Sequence, residues 1–182
     1  MKKTNIISFA VMFLLLIPTF TTAQLLKIGA GGGITQVLAP ESYTNYYSTE
    51  WNAGVIAKLD LPLLPITPRA FILYNSLWGE DSSSNAEVNL DIGEIGIGLQ
   101  YNFVPLPAGF DPYIALDLEL SRYQGLNRFG AGVGLGTEIS IIPIIDLDVY
   151  ACYKMFNLVG KSEGEETISA LTLDVFILFS FL

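Results

Sequence analysis

The sequence contains no histidine and a single cysteine, Cys152. The first absence removes the commonest general base and metal ligand. The second excludes an internal disulfide framework and a cysteine zinc site. Charge is also scarce, with 15% of the 182 residues being Asp, Glu, Lys or Arg. What charge there is sums to −9, and a pI near 4.3 argues against nucleic acid, whose phosphates would be repelled. Beyond the first 23 residues no apolar run reaches the roughly 18 residues that a spanning helix needs. Yet the chain is 51% hydrophobic with a mean hydropathy of +0.48, so its apolarity must be spread over short segments. Seventeen glycines and nine prolines punctuate those segments, as strands and tight turns require.

The N-terminus reads as an address. Lys2 and Lys3 precede an apolar run from Ile6 to Ile17, followed by Pro18 and the small residues Thr21-Thr22-Ala23. That order predicts a secretory signal cleaved after Ala23, spanning 1–23, rather than a membrane helix, for which the run is too short. No cysteine follows the cleavage site, which argues against a lipid anchor. Residues 24–182 then make one domain by length.

Eight segments of that domain alternate with period two, the signature of strands with two distinct faces. Leu25 to Gln36 sets Ile28, Ala30 and Ile34 against Lys27, Gly29, Gly31, Gly33 and Thr35. Trp51 to Leu61 sets Trp51, Ala53, Val55, Ala57, Leu59 and Leu61 against Asn52, Lys58 and Asp60. In Arg69 to Trp78 both faces are largely apolar; we place Ala70, Ile72, Tyr74 and Trp78 outward and Arg69, Phe71, Leu73 and Asn75 inward. Val88 to Phe103 opposes Ile95, Ile97, Leu99, Tyr101 and Phe103 to Glu94, Gly96, Gly98, Gln100 and Asn102. Upstream its apolar set is Val88, Leu90 and Ile92, so the phase slips at Gly93. Either a bulge or continuation of the strand into an aqueous hairpin would do this.

Strict alternation then returns. Ile114, Leu116, Leu118 and Leu120 oppose Asp117, Glu119 and Ser121. Phe129, Ala131, Val133, Leu135, Ile139 and Ile141 oppose Gly130, Gly132, Gly134, Gly136 and Glu138. Leu147, Val149, Ala151, Tyr153 and Met155 oppose Asp148, Tyr150, Cys152 and Lys154. The last strand puts Leu171, Leu173, Val175, Ile177, Phe179 and Phe181 on one face and ends with the sequence.

Connections alternate as well. Polar loops 37–50, 79–87 and 159–167, with a shorter Gln124 to Arg128, follow the odd segments; proline-bearing links 62–68, 104–112 and 142–146 follow the even ones. This parity predicts an all-β, eight-stranded antiparallel up-and-down barrel with both termini on one side. Aromatic residues fall at the strand ends: Trp51, Trp78 and Phe129 beside the polar loops, and Tyr101, Phe103, Tyr113, Phe179 and Phe181 at the other ends. Two girdles result, as at the two interfaces of a bilayer. Parity alone does not say which face points inward. The polar faces are dominated by glycine and thinly charged, which suits a cramped lumen better than a water-facing surface. A transmembrane β-barrel is therefore expected, with apolar side chains toward lipid.

The alternating pattern resembles the small eight-stranded outer-membrane barrels of the OmpA/OmpX type over Leu25 to Leu182. Its most family-like pieces are Gly93-Glu-Ile-Gly-Ile-Gly-Leu-Gln-Tyr-Asn-Phe103 and the C-terminal strand, which looks like the signal read by the outer-membrane assembly machinery. The family usually ends on an aromatic residue, whereas here Leu182 follows Phe181. The resemblance implies the outer membrane of a Gram-negative-type bacterium, periplasmic termini, and lipid and assembly machinery as partners.

Site chemistry is correspondingly spare. The inward charges expected are Lys27, Lys58, Arg69 and Lys154 against Asp60, Glu94, Asp117, Glu119, Glu138, Asp148 and Asp174. They must pair or hold water, because an unpaired buried charge is costly. With Phe71, Leu73, Phe176 and Leu178 they are expected to fill the lumen, giving a non-catalytic barrel with a structural or surface-interaction role and no cofactor or metal. A narrow porin and a soluble periplasmic or secreted barrel binding an apolar ligand are the alternatives. The Tyr43, Tyr46, Tyr47 cluster and the acidic Glu80-Asp81 and Glu163 to Glu166 stretches mark loops 37–50, 79–87 and 159–167 as a possible surface for a ligand.

Overall fold

The structure, a computed structural model, describes residues 25–47, 49–61, 64–81, 86–106 and 109–181. The expected signal at 1–23, the final Leu182 and residues 82–85 of the second polar loop lie outside the described residues. Eight strands follow the eight alternating segments: β1 (Leu25–Ala39), β2 (Thr49–Asp60), β3 (Ile66–Asp81), β4 (Ala86–Asn102), β5 (Phe110–Tyr123), β6 (Leu126–Ile142), β7 (Ile145–Val159) and β8 (Ser169–Phe181). A one-turn helix, α1 (Glu41–Thr44), stands between β1 and β2. Each strand pairs antiparallel with its sequence neighbour, and β1 pairs with β8 from Leu26↔Phe181 to Gln36↔Leu171, so the sheet closes without an edge. Leu25 and Phe181 thus lie at one end, the termini end; α1 and the turn between β5 and β6 mark the distal end.

Most strands run further than their alternation. Thr67 and Pro68, read as part of a link, pair with Gln100 and Leu99, and Pro112 pairs with Thr137. Of the expected 79–87 loop, β3 takes Gly79–Asp81 and β4 takes Ala86 and Glu87. The cause is closure, since tilted barrel strands continue pairing wherever a partner backbone lies alongside, whatever the local composition. The connection expected from Gln124 to Arg128 shrinks to Gln124-Gly125, both at positive φ (50° and 74°), which is the geometry of a tight hairpin whose twist matches its strands.

The outer wall carries the apolar set. Leu118 is 66% exposed, Ile97 65% and Leu116 63%, while their strand neighbours Asp117 and Glu119 are 2% exposed. The expected phase of the third strand stands: Arg69, Phe71, Leu73 and Asn75 are buried, and Ile72, Tyr74 and Trp78 are exposed. At Gly93 there is no bulge, for β4 holds one register with β3 from Tyr101 to Ala86. Geometric parity continues and the chemistry changes. Leu90 and Ile92 point inward where Glu94 and Gly96 do, joining Val37, Tyr47, Leu77, Tyr123, Phe156, Ile168 and Ala170 in an apolar core inside the distal end.

Seven of the eight girdle residues sit outward as expected: Trp51, Trp78 and Phe129 toward the distal end, and Tyr101, Phe103, Phe179 and Phe181 toward the termini end, all 46% to 60% exposed. Trp51 packs against Tyr74 with ring centroids 5.8 Å apart, and Tyr101 against Phe103 at 5.7 Å. Tyr113 is a correction. It is 1% exposed and lies in the lumen, because it shares parity with Asp117 and Glu119 rather than with Ile114.

The filled lumen as candidate functional site

Three neighbouring strands line up bases on one inner wall. Lys27 stands opposite Lys58 across β1 and β2, and Lys58 opposite Arg69 across β2 and β3. Carboxylates line up on the other wall, with Asp111 opposite Glu138 and Glu138 opposite Asp148 across β5, β6 and β7. Each row alone would be repulsive, since like charges directly opposite destabilise a sheet. Closure brings them together. Lys27 Nζ reaches Glu138 at 2.6 Å, Asp146 at 3.0 Å and Asp60 at 3.1 Å, and Lys58 Nζ reaches both Glu138 and Asp148 at 2.8 Å.

Halfway along the barrel Arg69 grips Asp117 through two parallel bonds, Nε at 2.9 Å and Nη2 at 2.5 Å. Such a bidentate pair is strong and orientation-specific. Gly98 lies between them in the pairing row, and a Cβ there would run into Asp117 Oδ1 and stand 3.1 Å from Arg69 Nε, so the pair closes over a glycine. Tyr150 stacks beneath the guanidinium, 4.1 Å from Cζ to ring centroid, and its hydroxyl donates to Asp117 at 2.9 Å. Tyr113 stacks on Tyr150 at 5.8 Å and donates to Asp148 at 2.7 Å. Cys152 is packed beside these two rings, fully buried.

A second network joins six other residues, each on a different strand. Asn52 donates to Asp174 at 2.7 Å and to Thr35 at 3.1 Å; Thr35 donates to Asn75 at 2.9 Å, Asn75 donates to Glu94, and Lys154 closes the chain on Glu94 at 2.7 Å. Glu119 is the exception. It is 2% exposed, Lys154 Nζ stands 3.8 Å away, and neither carboxylate oxygen accepts a hydrogen bond from a described residue. Between the networks Ile56, Phe71, Leu73, Phe176 and Leu178 form an apolar plug. A void of about 10 Å³ is left beside it, no more than a single water occupies. At the termini end a larger cavity of about 200 Å³ opens among Lys27, Asp60, Thr67, Gln100, Asn102, Asp111 and Glu138.

The structure thus places all of Lys27, Lys58, Arg69, Glu94, Asp117, Glu119, Glu138, Asp148, Lys154 and Asp174 inside the barrel, each buried, with Asp60 half-buried at the termini end. Sequence reasoning missed Asp146, because the seventh strand was started at Leu147, two residues after its first residue Ile145, although Asp146 and Asp148 share parity. It also missed Arg128, whose segment was read as loop. Arg128 Nη2 donates to Glu165 at 2.9 Å, its Cζ sits 3.8 Å over the Tyr123 ring, and Tyr123 and Asn157 donate to the same carboxylate at 2.7 and 2.8 Å. Partial burial pushes the Glu165 carboxyl up, but the bonds from Arg128, the Ser162 backbone N–H, Tyr123 and Asn157 outweigh it and hold it down at about 2. This group of contacts ties the 160–168 connection across the distal mouth. Of the three loop tyrosines, Tyr47 belongs to the distal core and Tyr43 packs against it; Tyr46 stays exposed.

No family model and no curated protein matches this sequence. Solved structures do match in shape. Neisserial surface protein A superposes with a TM-score of 0.62 at 17% identity, over 86% of this chain and 97% of that one. Ail, the attachment invasion locus protein of Yersinia pestis, solved with the heparin analogue sucrose octasulfate, gives 0.53 at 10% identity over 88% and 100%. A major outer membrane protein of Thermus thermophilus gives 0.52 at 12% identity over 86% and 99%. The chain has the fold of the small eight-stranded outer-membrane barrels of the OmpA/OmpX type.

Proposed function

We propose that this chain is an integral outer-membrane barrel, non-catalytic and closed to ions, with a structural or surface-interaction role. The observation that carries the reading is the combination of an apolar outer wall between two aromatic girdles with a lumen occupied by paired charges. A water-soluble barrel holding an apolar ligand needs the reverse arrangement, an apolar interior and a polar exterior. In this reading the termini end is periplasmic and the distal end faces outside. Eight strands leave an interior just wide enough for side chains, and here those side chains hold one another.

The surface role rests on the distal loops. Exposed Glu41, Glu163 and Glu166 outnumber Lys161 there, which favours a cationic or basic ligand over the kind of sulfated sugar bound to Ail. Recognition of β8 by the assembly machinery belongs to the same proposal. Deleting residues 179–182 should leave the chain out of the outer-membrane fraction; normal membrane levels of the truncated form would remove β8 as the signal.

The test of the closed barrel is conductance. Refolded wild-type protein should migrate heat-modifiably on a detergent gel and give no steady single-channel current in planar bilayers. A large, steady current would replace this reading with that of a narrow porin.

A further inference from the structure

We propose that the cavity at the termini end is a binding site for a small organic cation that carries N–H donors, an alkylammonium or a guanidinium compound. Most hydrogen-bond donors around the cavity are already used. Lys27 spends its ammonium on Glu138, Asp60 and Asp146. Thr67 donates to Asp60 at 2.9 Å, Asn102 donates to Thr67 at 2.9 Å, and Gln100 Nε2 donates to Asn102 at 2.7 Å and to Glu138 at 3.1 Å. Those two bonds fix which way the Gln100 amide points, since turning it over would set its oxygen against a carboxylate.

Acceptors are what remain. Gln100 is 2% exposed and lines the cavity, yet its Oε1 has no partner among the described residues. Asp111 lines the same cavity, half-buried, and accepts no hydrogen bond from a described residue. A buried amide oxygen without a donor is an unmet demand, and a carboxylate beside it sharpens that demand. Charge points the same way. Around this end of the lumen the ammonium groups of Lys27 and Lys58 face Asp60, Asp111, Glu138, Asp146 and Asp148, so negative charge is in excess. Glu138 is neutralised by two lysines, while Asp111, its direct cross-strand neighbour, is not. A donor-only cation supplies both the missing hydrogen bonds and the missing charge. The volume of about 200 Å³ is several times the roughly 30 Å³ share of a water, so a molecule of a few heavy atoms fits.

Isothermal titration of the refolded full barrel in detergent with putrescine tests this. Saturable binding is expected, weakened about tenfold or more by Asp111→Asn, as fits loss of a charge-assisted hydrogen bond. The bis(trimethylammonium) analogue of putrescine, which carries the same two charges on the same four-carbon chain without N–H donors, should not bind to wild type at the same ionic strength. That comparison needs no variant and decides the matter even if Asp111→Asn fails to refold. Equal binding of both cations would overturn the site as a hydrogen-bonding one and leave only diffuse charge. Preferential binding of magnesium over putrescine, or no saturable binding of putrescine, would overturn the assignment of the ligand.

Discussion

The lumen is filled in opposite ways along its length. Within the band whose outer wall is apolar, the interior is ionic on either side of one apolar plug: Lys27, Lys58 and Lys154 are spent on carboxylates across the lumen and Arg69 on Asp117 two strands away, and glycines make room for them. Beyond Gly93, toward the distal end, the interior is apolar, built from Leu77, Leu90, Ile92, Phe156 and Ile168, and on β4 the outward residues become Asn89 and Asp91. The strand does not change its geometry at that point, only its surroundings. Where the wall meets lipid, the outside must be apolar and the inside is free to be polar. Where the wall meets water, the barrel is built like a soluble protein, with its hydrophobic core within. On the proposed membrane reading, the inversion on a single unbulged strand marks where the hydrocarbon ends.

The sharpest way to break the contrast is to unpair a charge in the ionic half. Arg69→Met leaves Asp117 buried without its partner and should cost about 3 to 5 kcal/mol in urea unfolding from lipid vesicles. The double variant Arg69→Met with Asp117→Leu should recover most of that; a single variant losing less than about 1 kcal/mol would mean the pair is hydrated rather than buried. In the apolar half the matching change is Phe156→Ala, expected to cost about 3 to 5 kcal/mol through the cavity it leaves. The boundary itself is tested by arginine on the outer face of β4. At Ile97 it should cost roughly 2 to 4 kcal/mol, and at Asn89 no more than about 0.5 kcal/mol. Equal costs at both positions would remove the inversion as a membrane marker.

The smallest expected effect lies at the distal mouth. The Glu165 carboxyl is held at about 2 in the folded chain against an ordinary value near 4.5. Its contribution is therefore fully present above the ordinary value and lost as pH falls through the folded one. Hydrogen exchange or limited proteolysis of the 160–168 segment should rise between about pH 4.5 and 2 while the strands stay protected. Glu165→Gln should show the looser segment already at neutral pH. Acid-independent protection of the wild type would dismiss the Arg128–Glu165 contact as a latch.

Much of this was legible in one dimension. Strand number and the antiparallel meander follow from a side-chain period of two, and the burial of Lys58 or Glu138 from the glycine-rich, thinly charged faces they share; β3, largely apolar on both faces, did not carry its phase by itself. Even the inward position of Tyr113 was written in the parity it shares with Asp117, although its aromatic character and place near a strand end suggested a girdle. Whether Gly93 marks a bulge or a boundary, and which carboxylate each base reaches, were not. Lys27 meets Glu138 across 111 positions and Lys154 meets Glu94 across 60. Such pairs exist only once a closed sheet sets one wall against another, because alternation fixes the side a residue faces and closure alone fixes what it faces.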